Sequence, residues 1–570
     1  MAHAKRVGSA IAAGLALTLT LAACGGGNDN TGGGGNTGGE GFKGGTMTVY
    51  LVDDVEHLDP VRNFVTNSNA IGKLLTRTLT EFKYDGKTKK TELVPDLAEK
   101  WESNDGLDEW KFTLKDGLKY EDGTPVKAAD IKYNVERGFS PDLSEGSPYP
   151  KEMIACQKGY VGPYSPAGNN GGKGCEAITT PDDKTIVFKL QRPVAEFDMV
   201  ASMKNFSPVP QDKDTKTQYD ARPVSTGPYK IQTYTRKKEL VLVRNDQWDQ
   251  KSDTLRNARP DKFVFKFGDD EAVVDQRLIA NGTADASSFS FSGVQPQNLP
   301  KTNSANVKDR VIEGADQCRR YIAFNQQKPL LKNQKLREAL YYGLDRVAYQ
   351  TARGGERLAA IVDSVVPEDM KGYEADTIFQ APPAGDKAKA KALLTEAGYK
   401  GEKLTLGTAD SGLAVKAAES AQQAWKAIGI NVDIRKIPGD NYYSTQQNDA
   451  SASDLITAGW CPDYPSIASV VAPVLGPDTT SATPKAAQNN YGRSLVGFDK
   501  FKAVQLVKDK DQAVKDWSAL YKEIMQTAPL VPTVKDLNVY VLGGNIDSAF
   551  PDPNTGGIPD LTQIGLKKAS

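Results

Sequence analysis

Catalysis needs nucleophiles, bases, metal ligands or phosphate cradles at workable spacing, so the scarce residue types decide first. The chain of 570 residues has two histidines, His3 and His57. His3 falls in an N-terminal segment that reads as a removable signal, which leaves His57 as the one imidazole for any Ser-His-Asp or Cys-His arrangement. No G-x-S-x-G, H-E-x-x-H, C-x-x-C or G-x-x-x-x-G-K-[ST] occurs, which argues against a nucleophile elbow, a zinc site and a nucleotide-hydrolysing loop. One G-x-G-x-x-G match, Gly39-Glu40-Gly41-Phe42-Lys43-Gly44, has no strand before it and no helix after it, so it carries no dinucleotide signal. Aspartate and glutamate are plentiful, so paired-carboxylate chemistry stays open on counting alone. The balance of residues points to binding, with no cofactor and no metal expected.

The N-terminus carries the strongest local signal. Lys5 and Arg6 precede an apolar run over residues 11–21, which ends in Leu21-Ala22-Ala23-Cys24. A positive flank, a short apolar stretch and small residues at its end make a secretory signal rather than a membrane span. The cysteine at the cleavage point resembles the bacterial lipoprotein box, which implies cleavage after residue 23 and lipidation of Cys24. Residues 25–45 are almost wholly Gly, Asn, Thr and Asp and read as a flexible tether. Of the five cysteines, Cys156, Cys175, Cys318 and Cys461 remain. An even remainder in an exported chain reads as two disulfides, for which the sequence alone allows three pairings. Cys156 and Cys175 bracket a Gly/Pro/Asn loop that a bridge would staple, and Cys318 would then pair with Cys461.

Lys and Arg total 71 against 72 Asp and Glu, a net charge of −1, so neither nucleic acid nor an anionic surface is an expected partner. No second apolar stretch is long enough to cross a bilayer. Hydrophobic residues make up 39%, enough for a core in a chain expected to divide into roughly two to four lobes. Alternation predicts strands over residues 47–52, 110–114, 185–190, 240–244, 404–407 and 431–436. Helical spacing predicts helices over residues 69–79, from 127 onward, and over 335–349, 387–397 and 415–428, the last two ending at Gly398 and Gly429. Helices and strands interleave, so the fold class is mixed α/β.

A series of segments then resembles the extracellular solute-binding proteins of oligopeptide- and dipeptide-type ABC importers, bacterial solute-binding protein family 5. They are Leu93-Val94-Pro95-Asp96-Leu97-Ala98-Glu99-Lys100-Trp101-Glu102, then Trp110-Lys111-Phe112-Thr113-Leu114-Lys115-Asp116-Gly117 and Asp122-Gly123-Thr124-Pro125-Val126. Thr226-Gly227-Pro228-Tyr229-Lys230-Ile231, Ile322-Ala323-Phe324-Asn325, Lys335-Leu336-Arg337-Glu338-Ala339-Leu340 and Leu344-Asp345-Arg346 follow, and Ala388-Lys389 through Ala397-Gly398-Tyr399 and Gly459-Trp460-Cys461-Pro462-Asp463-Tyr464-Pro465 complete the set. Each is weak alone, but they stand in the family's order across nearly all of residues 46–545. Most of these residues also have a plain scaffold role as turn-formers and core aromatics.

The resemblance implies a periplasmic-binding-protein type II-like fold, a bilobal cleft with an additional inserted lobe. Lobe I takes residues 46–85, 222–317 and 533–570, lobe II residues 86–221, and lobe III residues 318–532. Hinge segments are expected near residues 318–325 and 531–541. It implies that Asp463 pairs with a ligand's α-ammonium, since a desolvated ammonium requires a counter-charge. Taken alone, an Asp-Tyr-Pro context reads as a turn-capping aspartate. The family pattern also joins Cys318 to Cys461, fixing the loop that carries Asp463. Trp460 and Tyr464 are candidate cleft aromatics, and Cys461 stands beside them. Phe64 and Thr66 follow the first strand, where the family lines its cleft; Phe64 stands where some peptide binders carry an acidic residue. Phe289 and Ser290 fall on another lining segment.

The expected function is therefore a monomeric, lipid-anchored binding protein on the extracytoplasmic face. It would capture short peptides by hinge closure and deliver them to membrane permease subunits. The competing readings are the same fold tuned to a sugar oligomer, metal chelate or cell-wall fragment, a secreted carboxylate-dependent enzyme, and a receptor for a signalling peptide.

Overall fold

The structure, a computed structural model, describes residues 42–143, 145–165, 170–375, 378–478 and 485–568. The expected export signal, Cys24 and the tether up to residue 41 lie outside the described residues. Among the described residues no helix is long and apolar enough to cross a membrane.

One sheet has five strands in the order Ser288–Ser290, Thr46–Leu51, Lys262–Phe267, Glu239–Arg244 and Tyr229–Thr235. Thr46–Leu51 runs parallel to both neighbours, and the later pairs are antiparallel. Alternation sets its buried face: Phe263, Phe265 and Phe267 point inward from every second position of their strand. The helix Thr66–Leu75 lays Ala70, Ile71, Leu74 and Leu75 on this core. Gly227 lets the chain pass the helix end, since a Cβ there would lie 2.4 Å from the Leu74 carbonyl oxygen.

A four-stranded antiparallel sheet follows the order Ala98–Ser103, Glu109–Leu114, Thr185–Lys189 and Ile178–Thr179. Trp110, Phe112 and Leu114 are buried at alternate positions, as predicted. Their core continues through Phe188, Phe197 and Phe206, which pack edge-on or tilted against one another. The disulfide Cys156–Cys175 staples the neighbouring loop.

The third sheet has the order Asn431–Ile437, Lys403–Ala409, Leu455–Trp460, Arg319–Phe324 and Leu530–Pro532, with apolar cores on both faces. The helix Gly412–Lys426 sits on it through Ala417, Ala418, Ala421, Ala424 and Trp425, a stripe of mostly small side chains. A smaller antiparallel sheet orders Val311–Ala315, Val534–Val541 and Ala359–Ile361. The chain thus passes from the first sheet to the third and back along two paired strands.

One expected helix is two. Residues 335–349 divide into Gln334–Gly343 and Arg346–Ala352. The break has a local cause: Asp345 accepts from the Ala348 backbone N–H at 2.9 Å and caps a new helix.

Buried charges tie these bodies together. Arg77 and Arg256 both bond to Asp96, at 2.7 and 3.0 Å, and Arg256 also reaches Asp253 at 2.9 Å. Burial alone would raise the Asp96 carboxyl, but Arg256 and Arg77 outweigh it and hold it well below the usual carboxylate range. Arg137 grips Asp59 with two hydrogen bonds, of 2.8 and 2.6 Å. Removing one partner of such a network leaves buried charge uncompensated. Asp96→Asn is expected to destabilise the protein by roughly 3–5 kcal/mol in denaturant titration. A loss below about 1 kcal/mol would mean that charge balance at Asp96 does not hold these segments.

Candidate functional site

The strand Leu455–Trp460 pairs with Arg319–Phe324 so that Trp460 stands opposite Arg319. Extending that register by one residue brings Cys461 against Cys318, and the two form a disulfide. The ladder and the bridge together fix where the next residues, Pro462, Asp463 and Tyr464, begin. Tyr464 is buried in the apolar core of the four-stranded sheet and meets the Tyr149 ring edge-on at 5.7 Å. Ser466 donates to Glu196 Oε1 at 2.6 Å. The loop is therefore held at one end by the third sheet and at the other by the segment carrying the second.

Asp463 lies between these ties. Its part-buried carboxylate accepts one hydrogen bond, from Tyr149 Oη at 2.6 Å, and no lysine, arginine or histidine stands within ion-pair distance among the described residues. Burial pushes its pKa up to about 7; the Tyr149 hydrogen bond opposes this, and Glu152 nearby adds to it. An ionised Asp463 is thus an unmet demand for a cation.

Asp463 lines a cleft of about 950 Å³, counting its open mouth. Of the residues singled out from sequence, Phe64, Thr66, Cys461, Asp463 and Tyr464 share its wall. Trp460 does not: its indole N–H donates to the Ser469 carbonyl at 2.7 Å and its rings pack on the core of the third sheet. Phe289 is fully buried in the core of the first sheet, where strand pleating turns it inward. Ser290 is buried too, its hydroxyl donating to the Tyr50 carbonyl at 3.4 Å. These three belong to the scaffold beside the cleft.

The wall also holds residues that the sequence reading passed over: Asn63, Asn69, Lys73, Glu81, Lys204 and Asn554. Glu81 gathers three cations, Lys204 at 3.4 Å and Lys73 and Arg256 each at 3.8 Å. Lys73 also reaches Asp552 at 3.6 Å. Burial lowers the Lys73 ammonium, but Glu81 and Asp552 outweigh it and leave it above its ordinary pKa. Lys204 stands below its own: burial lowers it, Glu81 offsets only part, and Arg256 and Lys73 repel it. The one sequence signal was Lys73, a lysine on the apolar stripe of its helix. Among the described residues no cluster of three or more His, Cys, Asp or Glu side chains is placed to hold a metal ion.

The family model for bacterial extracellular solute-binding proteins, family 5, matches residues 92–482. The chain belongs to that family. It is 28% identical over 387 residues to the periplasmic oligopeptide-binding protein OppA of Salmonella typhimurium, covering 65% of this chain and 67% of that one. It is 26% identical over 462 residues to the periplasmic murein peptide-binding protein MppA of Escherichia coli, covering 79% and 81%. Among solved structures, the clavulanic acid biosynthesis oligopeptide binding protein 2 matches with a TM-score of 0.84 at 26% identity, over 92% of this chain and 96% of that chain. The structure of Escherichia coli MppA matches in fold with a TM-score of 0.73 at 21% identity, over 93% of this chain and all of that one (100%). The fold of this family member is mixed α/β and of the bilobal type II binding-protein kind.

The raised Asp463 pKa fixes a sign. The folded protein favours the protonated carboxyl, so stability from this group is greatest below the ordinary aspartate value of about 3.9. It falls as pH rises toward about 7 and is flat above. Asparagine has no such slope. The melting temperature of Asp463→Asn relative to wild type should climb between pH 5 and 7 and then level, measured by calorimetry. A gap independent of pH would place the carboxyl in water.

Proposed function

We propose that this protein captures short peptides with a free amino end and passes them, unaltered, to the permease subunits of an ABC importer. The observation that carries the reading is Asp463: a desolvated carboxyl on the cleft wall, with one neutral hydrogen bond and no cation within ion-pair distance among the described residues. An α-ammonium supplies the missing charge, and a neutral sugar does not. The names of the relatives, an oligopeptide-binding and a murein peptide-binding protein, support peptides as the ligand class.

Three lobes move in this reading. Lobe I takes residues 46–85, 222–317 and 533–570, lobe II residues 86–221, and lobe III residues 318–532. The paired strands Val311–Ala315 and Val534–Val541 carry the chain between the first lobe and the third, so small backbone rotations beside them open and close the cleft. The cleft wall draws on all three segments: Phe64 and Thr66 from the first, Lys204 from the second, and Asp463 from the third. The protein acts as a monomer, exported by its N-terminal signal and anchored through lipidated Cys24 on the extracytoplasmic face.

The test begins with mass spectrometry of small molecules released on denaturing the purified protein. Short peptides should appear, and Asp463→Asn should weaken their capture at least about hundredfold, in keeping with ~3–5 kcal/mol for a buried charge pair that loses one partner. A sugar, a chelate, or indifference of peptide capture to the substitution would overturn the reading. Capture also has a pH signature. Pairing with an ammonium favours ionised Asp463, so binding below about pH 7 releases a proton and affinity rises with pH toward that value. It falls again above about pH 8, where the peptide's α-amine loses its charge. Calorimetry in buffers of different ionisation enthalpy reads the proton directly.

A further inference from the structure

The cleft wall around Lys204 carries a second unmet demand. Lys204 is 4% exposed and Asn63 5% exposed, yet both line the cleft. Lys204 Nζ has one acceptor, Glu81 Oε2 at 3.4 Å. An ammonium has three donors, so the others lack an acceptor among the described residues. Lys73 and Arg256 also approach the Glu81 carboxylate, each at 3.8 Å, although each has a nearer carboxylate of its own. Asn63 Nδ2 donates to the Ser68 carbonyl at 2.9 Å, while Asn63 Oδ1 is buried with no hydrogen-bond partner. The two side chains are neighbours across Gly72. A Cβ built there would lie 2.6 Å from Asn63 Nδ2 and 3.8 Å from Lys204 Cε.

An orphaned acceptor and an under-used ammonium, on neighbouring buried side chains of the cleft wall, are unfavourable unless something fills them. The terminal residue of a peptide fits both. It offers an amide N–H and, one carbon further, a carboxylate. We propose that Asn63 and Lys204 form the subsite for a peptide's carboxyl-terminal residue, Asn63 Oδ1 accepting its N–H and Lys204 Nζ donating to its carboxylate. The assignment rests on the peptide reading above and adds the far end of the ligand to it. Asp463 and Lys204 then give the cleft opposite charges for the two ends of a short zwitterion. An acidic side chain on an internal residue presents the same carboxylate, so the test separates the two sources.

Three synthetic tripeptide libraries serve as probes: free acids, carboxyl-terminal amides, and amides with aspartate in the last position. Each is offered to the purified full chain in detergent, and retained species are identified by mass spectrometry and titrated by calorimetry. Free acids should bind at least about tenfold more tightly than the matched amides, the scale of a hydrogen bond to a charged group. Lys204→Met should erase that preference and Lys204→Arg should keep part of it. Asn63→Asp, which sets a second carboxylate beside the ligand's, should also lower it. If Lys204→Met fails to fold, judged by its melting curve, the Arg and Asp variants decide. Equal capture of acids and amides by the wild type, with a free amino end still required, would overturn the subsite and leave the peptide reading standing. Aspartyl amides that bind as tightly as free acids would overturn the terminal assignment. No capture from any library would overturn both.

Discussion

A charge removed from water must find compensation, and that constraint organises this protein from its frame to its cleft. An unpaired buried ion costs several kcal/mol, so the chain meets its buried charges with partners brought from far along the sequence. Asp96 receives Arg77 and Arg256, Asp59 receives Arg137, and Asp536 receives Arg320 and Arg353 at 2.7 and 2.6 Å. Arg337 solves the problem differently, bonding to the carbonyls of Leu331 and Thr527. In the cleft the compensation is only partial. Asp463 has a phenol for a partner, and Lys204 shares one carboxylate with two other cations.

The position of Asp463 follows from geometry rather than from charge. A β-ladder delivers the chain to Cys461, a disulfide holds it there, and Tyr464, three residues on, is buried in a different core. Pinning both ends of so short a loop leaves the carboxylate little freedom. In the reading proposed above, a ligand would meet a carboxyl already in place, which reduces the ordering that binding would otherwise require. The same arrangement makes the loop a bridge between the second and third sheets. Ser466 to Glu196 and Arg192 to the Gln505 carbonyl at 3.3 Å run across the same seam. Opening the cleft along that seam would break these polar contacts and separate the Tyr149–Tyr464 pair.

Much of the frame was legible in the sequence because it depends on local physics. Strand alternation at Trp110, Phe112 and Leu114 and the left-handed Gly398 that ends its helix are consequences of residues a few positions apart. The break at Leu344 was missed, although Asp345 was there to cap a second helix, because the apolar spacing continues across it. The short aromatic and serine strand at Phe289 and Ser290 was placed in the cleft, but neighbouring strands on the first sheet turn it inward. Trp460 was one residue from the bridge yet faces the opposite side of its strand from the cleft, since successive side chains alternate.

By itself the sequence determined the mixed α/β class, the family, the poverty in catalytic groups, the four cysteines that remain beyond Cys24 and the Cys461-Pro462-Asp463 stretch. All of these reside in composition, in short-range periodicity or in motifs a few residues long. Only the tertiary structure decided which charges are left without full compensation. Lys73, Glu81 and Lys204 are ordinary residues in a chain with 71 basic and 72 acidic side chains. They become distinctive when folding removes water from them and sets Glu81 between several cations. Asn63 gained its meaning in the same way, once its carbonyl oxygen was enclosed without a donor. Desolvation and the identity of a spatial neighbour are properties of the fold, and no reading of spacing along the chain contains them.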